Sequence, residues 1–191
     1  MHFKKLVGKK CYLSPMDLDD AEKYAEWVND LEITTYLGPL YYGVINVESE
    51  KEFIKENSKN HNYSIIDIET NELIGNCCFL EVDNVNQTGD IAIFIGNKEY
   101  LSKGFGTEAL VLLMDYGFKA LNLHNITLNV VSFNERAIKC YEKIGFKKIG
   151  KRRESVKRGK ETFDTIYMDI LYSEFYENKA IQKYSVGTNG T

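Results

Sequence analysis

No excess of positive charge is present in the 191 residues: 24 Lys and Arg stand against 28 Asp and Glu, a formal net charge of −4. A polyphosphate partner needs a basic field, so a general nucleic-acid binder is disfavoured and no nucleic acid is expected as partner. The same balance is compatible with a cationic amine. The four cysteines (Cys11, Cys77, Cys78, Cys140) show no CxxC spacing, and the three histidines (His2, His61, His124) are scattered, so no metal is expected. The cysteines read as free thiols of a reducing compartment. Cys77 and Cys78, adjacent on a strand, would point to opposite faces. No stretch approaches the ~20 apolar residues of a membrane span. The start, Met1 to Gly8, lacks the apolar run of a signal peptide. No membrane partner is expected, and the cytoplasm is the expected location. Neither an internal repeat nor a low-complexity linker is visible. At roughly 100–200 residues per domain, the length predicts a single domain over 1–174 and a polar C-terminal tail over 175–191. Ser185–Thr191 reads as a frayed end.

The patterns that are there alternate between periods of two and of about 3.6. Lys10 to Leu13 is a short strand. Ser14-Pro15-Met16-Asp17 carries a helix-start signal, and the helix is expected to run to about Asn29. Residues 31–46 are irregular, and Val47 to Asn60 reads as a helix. Tyr63–Ile68, Leu73–Val82 and Asp90–Ile95 form an antiparallel meander with turns at 69–72 and 83–89. Gly104–Leu121 is a helix whose apolar face is set by Leu110, Leu113, Met114, Gly117, Phe118 and Leu121. Ile126–Val131 is a strand, and Asn134–Ile144 a helix closed by Gly145. Phe146–Lys157 and Thr162–Leu171 are strands joined by a turn at 157–160. The mixed order implies an α+β (or α/β) domain with a mixed sheet.

Two segments carry candidate chemistry. Lys103-Gly104-Phe105-Gly106-Thr107 opens the long helix. A helix N-terminus offers unpaired N–H groups and partial positive charge, and glycines let an anion come close. Pyrophosphate fits such a turn; an ordinary loop-to-helix turn has the same outline. No Lys-Ser or Lys-Thr follows the glycines, so this is not a nucleotide phosphate loop. The third glycine of a dinucleotide fingerprint is missing and the preceding strands are a meander. In the second segment Asn134 stands where it would cap a helix, and Ala137 and Tyr141 share its face. A phenol, with a pKa of about 10 in water, suits proton donation to a thiolate. A capping Asn and a half-buried core Tyr would explain both residues without chemistry.

Taken in order, the chain resembles the GNAT superfamily of N-acetyltransferases. The likeness is to the branch holding ribosomal-protein N-terminal and spermidine acetyltransferases, over roughly Lys10 to Glu174. The matching text is Gly104-Phe105-Gly106-Thr107-Glu108-Ala109, Asp115-Tyr116-Gly117-Phe118, Leu123-His124-Asn125-Ile126 with Leu128, Asn134-Glu135-Arg136-Ala137-Ile138, Tyr141-Glu142-Lys143-Ile144-Gly145-Phe146, and Gly159-Lys160 with Asp164 and Met168. The resemblance implies a mixed, largely antiparallel central sheet with helices on both faces. It implies acetyl-CoA as co-substrate, held in a splay between Ile91–Ile95 and Ile126–Val131. Main-chain groups of Phe94 and Ile95 would pair with the pantetheine arm. The amides of Lys103, Gly104, Phe105, Gly106 and Thr107 would hold the pyrophosphate, and Asn134 would contact the pantetheine or its ordered water. Tyr141 would protonate the departing thiolate. One departure is Leu101, three residues before the first glycine, where the family usually carries Gln or Arg.

The chemistry so implied is direct attack of an amine on a thioester, largely a matter of positioning. Asp90 is the first candidate for the base that takes the amine proton and Glu81 the second; either also reads as a solvated acid at a strand end. Cys140 reads as packing, pointing away from Tyr141. The segment Leu31–Val47 is expected to line the acceptor side, where its tyrosines and Asp30 or Glu32 would receive a cation or cover the core. A protein N-terminus, a polyamine, an aminoglycoside or another small amine all stay open as acceptor. A non-catalytic acyl-CoA sensor of the same fold is the alternative function. Exposed strand edges near the C-terminus leave a homodimer open.

Overall fold

The computed structural model describes residues 1–37, 43–57 and 60–184. Eight strands are β1 (Leu6–Val7), β2 (Cys11–Pro15), β3 (Asn62–Asp67), β4 (Leu73–Asp83), β5 (Thr88–Ile95), β6 (Asn125–Val131), β7 (Lys147–Arg158) and β8 (Glu161–Leu171). The helices are α1 (Ala21–Val28), α2 (Leu31–Thr34), α3 (Val47–Asn57), α4 (Phe105–Ala120), α5 (Glu135–Ile144) and α6 (Tyr172–Glu177). The strands form one sheet in the order β1-β2-β3-β4-β5-β6-β8-β7. Every neighbouring pair is antiparallel except β5 and β6. This is the expected mixed, largely antiparallel sheet of an α+β fold.

Strand alternation divides the core between two faces. Cys11 and Leu13 of β2 join Ile65, Ile74, Cys77 and Ile91 beneath α4 and α5, while Tyr12 points the other way, to Tyr24, Trp27 and Ile54 of α1 and α3. Cys77 and Cys78 part as adjacent strand residues must: Cys77 lies in the α4-side core, and Cys78 turns to the opposite face. All four thiols are free. On α4 the apolar period places Leu110, Leu113 and Met114 at no more than 1% exposure. Burial of such side chains contributes about 1.5–3 kcal/mol each.

Several boundaries differ from expectation. Ser14 and Pro15 do not start a helix; they end β2, paired with Ser64 and Tyr63 of β3, and Ser14 is fully buried. The cap belongs to Asp17, whose carboxylate accepts from the Asp19 amide at 3.0 Å and opens a 3-10 turn ahead of α1. Pro15, with no N–H to give, closes the strand. Asp30 similarly caps the four-residue α2 inside the segment expected to be irregular. Gly38-Pro39, Leu40, Tyr41, Tyr42, positions 58–59 of the expected second helix and the expected frayed end Ser185–Thr191 lie outside the described residues. The C-terminal segment is tied down to Tyr184: Asn178 caps α5 through the carbonyls of Lys143 and Ile144, and Phe175, Ile181 and Tyr184 are buried in the α4-side core.

Candidate active site

The parallel pair β5–β6 is the seam of the molecule. It holds register only from Thr88–Asn125 through Gly89–Ile126 to Asp90–Thr127. Past that point β5 keeps its pairing with β4 up to Ile95–Gly75, and β6 keeps its pairing with β8 up to Val131–Thr165. The facing edges of the two strands go unpaired, and a cleft of about 1590 Å³ opens between them. Backbone groups along Ile91–Ile95 are thereby left to pair with an extended guest, in the manner of an added strand.

On the α4–α5 side of the cleft the sequence builds an anion cradle. Gly104 takes φ +90°, a left-handed conformation open to glycine, and starts α4 with no side-chain cap. The first backbone bond of the helix is from the Glu108 amide to the Gly104 carbonyl, at 3.1 Å. Among the described residues, the amides of Phe105, Gly106 and Thr107 find no acceptor. Gly104, Gly106 and Thr107 line the cleft; Phe105 instead packs its ring edge-on against Tyr100 at 4.9 Å, and the Lys103 side chain is exposed. The Lys103 carbonyl is held by Lys10 Nζ at 2.9 Å, so a second cation, 93 residues away in sequence, flanks the turn. Leu101, at the departure from the family pattern, also lines the cleft.

The turn is clamped from behind by Glu108. Its carboxylate is 1% exposed and accepts from the amides of Lys9, Lys10 and Cys11 at 2.6, 2.7 and 3.2 Å. Three N–H donors on one buried carboxylate fix the start of α4 to the β1–β2 turn. The sequence presented Glu108 only as part of a matching motif; its partners lie almost a hundred residues upstream and give no local signal.

Asn134 caps α5 through the Ala137 amide at 3.2 Å and faces the cleft, one turn ahead of Ala137 and two ahead of Tyr141. Tyr141 lines the cleft at 9% exposure, its ring edge-on to Phe146 at 5.9 Å. Burial pushes its phenol above the usual value, so the proton stays on oxygen at neutral pH. Among the described residues no group hydrogen-bonds that hydroxyl. Cys140 does not point elsewhere, as expected, but shares the cleft wall and contacts Thr107 Oγ1 at 3.2 Å. Burial raises its pKa too, which holds it as a thiol rather than a nucleophilic thiolate.

The two candidate bases sit where the strands are still joined. Asp90 accepts from Thr127 Oγ1 across the last β5–β6 pair at 3.3 Å, and Glu81 stands opposite it on β4. Burial, with Glu81 nearby, raises the Asp90 carboxyl above the ordinary carboxylate range. Neither side chain lines the cleft; Ala92, the next residue on the same face as Asp90, does. Asp30 and Glu32 are both bound by Lys98, at 2.7 and 2.5 Å, and only Glu32 reaches the cleft. Asn62 and Asn76, joined at 2.5 Å, form a polar floor on the α1 side that the sequence did not announce.

Comparison with known proteins identifies the family. The model of the acetyltransferase (GNAT) domain matches residues 10–147. The N-acetyltransferase p20 of Bacillus licheniformis is 30% identical over 175 residues, 89% of this chain and 97% of that protein. The spermidine N(1)-acetyltransferase of Escherichia coli K12 is 30% identical over 145 residues, 70% of this chain and 71% of that one. Among solved structures, a GNAT-family acetyltransferase from Bacillus anthracis superposes with a TM-score of 0.77 at 26% identity, covering 88% of this chain and 99% of its own. The Vibrio cholerae spermidine N-acetyltransferase in complex with CoA and spermine gives 0.77 at 24%, covering 87% and 98%. The chain belongs to the GNAT acetyltransferase family, and it is an acyltransferase with acetyl-CoA as co-substrate.

Proposed function

We propose that the protein transfers acetyl from acetyl-CoA to a primary amine by direct attack, with the two substrates entering the splay from opposite faces of the sheet. The observation that carries this reading is the convergence, on one cleft, of three unpaired amides at Phe105–Thr107, an unpaired strand edge at Ile91–Ile95, and a buried, unpartnered phenol at Tyr141. Acetyl-CoA supplies a thioester already activated for acyl transfer. Gly104, Gly106 and Thr107, with Phe105 through its backbone, hold the pyrophosphate, and the Lys103 and Lys10 cations stand at the edge. The backbone of Phe94 and Ile95 and the side chain of Asn134 fix the pantetheine. Tyr141, kept protonated by burial, gives its proton to the departing sulfur. Asp90 takes the proton that the amine sheds, through water, since its carboxylate stops one strand position short of the open cleft; Glu81 supports its raised pKa.

The test is acetyl-CoA-dependent thiol release across polyamines, aminoglycosides, amino acids and peptides with different N-termini, in the parent and in Tyr141→Phe. Saturable turnover with one class supports the reading. In the variant kcat falls by about 10²–10⁴-fold, the usual contribution of a positioned general acid. The melting temperature barely moves, because the ring still packs on Phe146. Unchanged turnover across the pH range removes Tyr141 from the chemistry. Binding of acetyl-CoA with no release on any amine favours the non-catalytic acyl-CoA sensor.

A further inference from the structure

The acceptor side of the cleft is floored by uncharged amides. Residues directly opposite each other on neighbouring strands share a face of the sheet. Ala92 and Phe94 of β5 lie on one face, and the Phe94 ring meets Trp27 of α1 at 5.8 Å, which identifies the face away from the pyrophosphate turn. Register carries that face outward from the seam. Phe94 pairs with Asn76 of β4; Ala92 pairs with Cys78, and Cys78 with Asn62 of β3. Asn62 and Asn76 both line the cleft. Neighbouring strands stand about 4.8 Å apart, so Asn76 is roughly one spacing and Asn62 roughly two spacings from the open edge of β5. The row from Asn62 to that edge carries the small side chains of Cys78 and Ala92, which leave room for an acceptor to lie across it.

Hydrogen bonding fixes how the two amides face. Asn76 Nδ2 gives one proton to Asn62 Oδ1 at 2.5 Å and the other to the Tyr63 carbonyl at 3.1 Å. The Tyr63 carbonyl can only accept, so the nitrogen of Asn76 is set on that side and its Oδ1 is left to accept. Asn62 Oδ1 is thereby engaged, and its Nδ2 is left to give. Among the described residues neither Asn76 Oδ1 nor Asn62 Nδ2 has a hydrogen-bond partner. Asn62 is 8% exposed, and a polar group so nearly buried calls for a partner. The pair presents one donor and one acceptor side by side. A hydroxyl or an amide completes both; an ammonium, which only donates, completes one. Charge does not favour a second ammonium either. Glu32 is the one carboxylate among the described lining residues, and Lys98 binds it together with Asp30.

We propose that the Asn62–Asn76 pair selects the acceptor, a primary amine whose body carries an uncharged hydroxyl or amide. That group receives the Asn62 Nδ2 proton and gives its own to Asn76 Oδ1, while the amine reaches the seam over Cys78 and Ala92. This rests on the N-acetyltransferase reading above and narrows its substrate class. A site built to hydrogen-bond such a group rejects the analogue that lacks it, because its own polar atoms are then covered and unpaired. A bare alkylamine leaves both asparagine atoms in that state. A polyamine sets its second ammonium against an amide N–H, with no unbound carboxylate among the described lining residues to receive it.

Matched acceptors test it: aminopentanol against hexylamine, glucosamine against cyclohexylamine, glycinamide against isobutylamine, with spermidine and putrescine as polycations. The expected result is a kcat/KM at least tenfold higher for the hydroxyl- or amide-bearing member of one pair. The hydroxyl and amide arms say which group is read. In Asn62→Ala, which removes the donor, and in Asn76→Ala, which removes the acceptor, that ratio collapses through a rise in KM for the favoured acceptor rather than for acetyl-CoA. Asn62→Ala leaves the bond from Asn76 to the Tyr63 carbonyl in place and makes the smaller demand on the fold. Equal kcat/KM within every pair, spermidine turning over faster than every hydroxyl- or amide-bearing amine, or a ratio that survives both substitutions overturns the proposal and leaves the N-acetyltransferase reading intact. Silence with these amines and with the peptides of the earlier panel overturns both.

Discussion

Replacing Glu108 by alanine is expected to cost more than any surface change and to reach the cofactor site through the backbone. The carboxylate serves three amides. A buried donor left without an acceptor costs about 1–3 kcal/mol. Cys11 is fully buried and cannot turn to water, so its amide bears the full penalty. The Lys9 and Lys10 amides lie in an exposed turn and recover part of theirs. The sum is roughly 3 kcal/mol, to which the lost packing of a side chain at 1% exposure adds. For a chain of this length 1 kcal/mol moves the melting temperature by about 2–4 °C, so a drop of about 6–12 °C is expected. Glu108→Gln keeps one oxygen facing the same amides and loses only the charge assistance, so about half that drop follows. Scanning calorimetry reads the stability, and the KM for acetyl-CoA reads the function. Because Glu108 fixes the turn whose amides we propose to hold the pyrophosphate, that KM is expected to rise in the alanine variant. A melting temperature within about 2 °C of the parent would refute the assignment of Glu108 as the clamp.

Two further outcomes follow from burial elsewhere. Gly96 lies against the Trp27 ring so closely that a Cβ would enter it, and Trp27 is itself wedged between Tyr24 at 5.7 Å and Phe94 at 5.8 Å. Gly96→Ala is expected to destabilise by about 1–3 kcal/mol, the range for overpacking, as read by the urea midpoint; an unmoved midpoint shows that the ring has room to shift. Stability is also expected to fall on the alkaline side. Burial raises the pKa of Cys11, Cys77, Tyr24, Tyr63 and Tyr141 and pushes Cys78 up to about 11. Below the ordinary thiol value of about 8.5 these groups are neutral whether folded or unfolded and exert no pH dependence. Above it the unfolded chain sheds protons that the folded chain keeps, so the unfolded state gains and stability declines through about pH 9–11. Urea midpoints at pH 7.5, 9 and 10.5 check this, and a flat series contradicts it.

Local pattern carried most of the elements. Alternation at 63–68 and the 3.6-residue period from Leu110 to Phe118 depend on neighbours a few residues apart, and both appear where expected. The misplaced helix start shows how a local signal misleads. Ser14-Pro15 has the outline of a cap, yet the hydrogen-bonding needs of β3 draw both residues into the sheet and pass the capping role to Asp17. The site divides the same way. Gly104, Gly106, Thr107, Asn134 and Tyr141 lie within two short segments and line one cleft, while Asp90, near the start of β5 as the sequence placed it, and Glu81 on β4 stand at the closed end of the seam. The stop in the β5–β6 ladder after Asp90 is a property of two strands that diverge in space, and neither strand announces it.

Charge illustrates the same limit with a consequence for function. A net charge of −4 is a sum over the whole chain, and as a sum it suits a cationic partner. A substrate meets only the wall in front of it. Asp30 and Glu32, the acids that looked ready for a cation, are joined to Lys98, 66 residues beyond Glu32. Arg152 and Arg158, which share one face of the sheet, arrive at the cleft from the other end of the chain because β8 inserts between β6 and the edge strand β7. Screening shortens the reach of a charge to about 8 Å at physiological salt, so the acids spread over the rest of the surface do little to offset that pair. Two proteins with this fold and this net charge can therefore differ in acceptor according to which few side chains the α2 segment and the β7–β8 hairpin turn inward. In this chain the α2 segment contributes Glu32 and Tyr36 to the cleft, and the hairpin contributes Arg152 and Arg158.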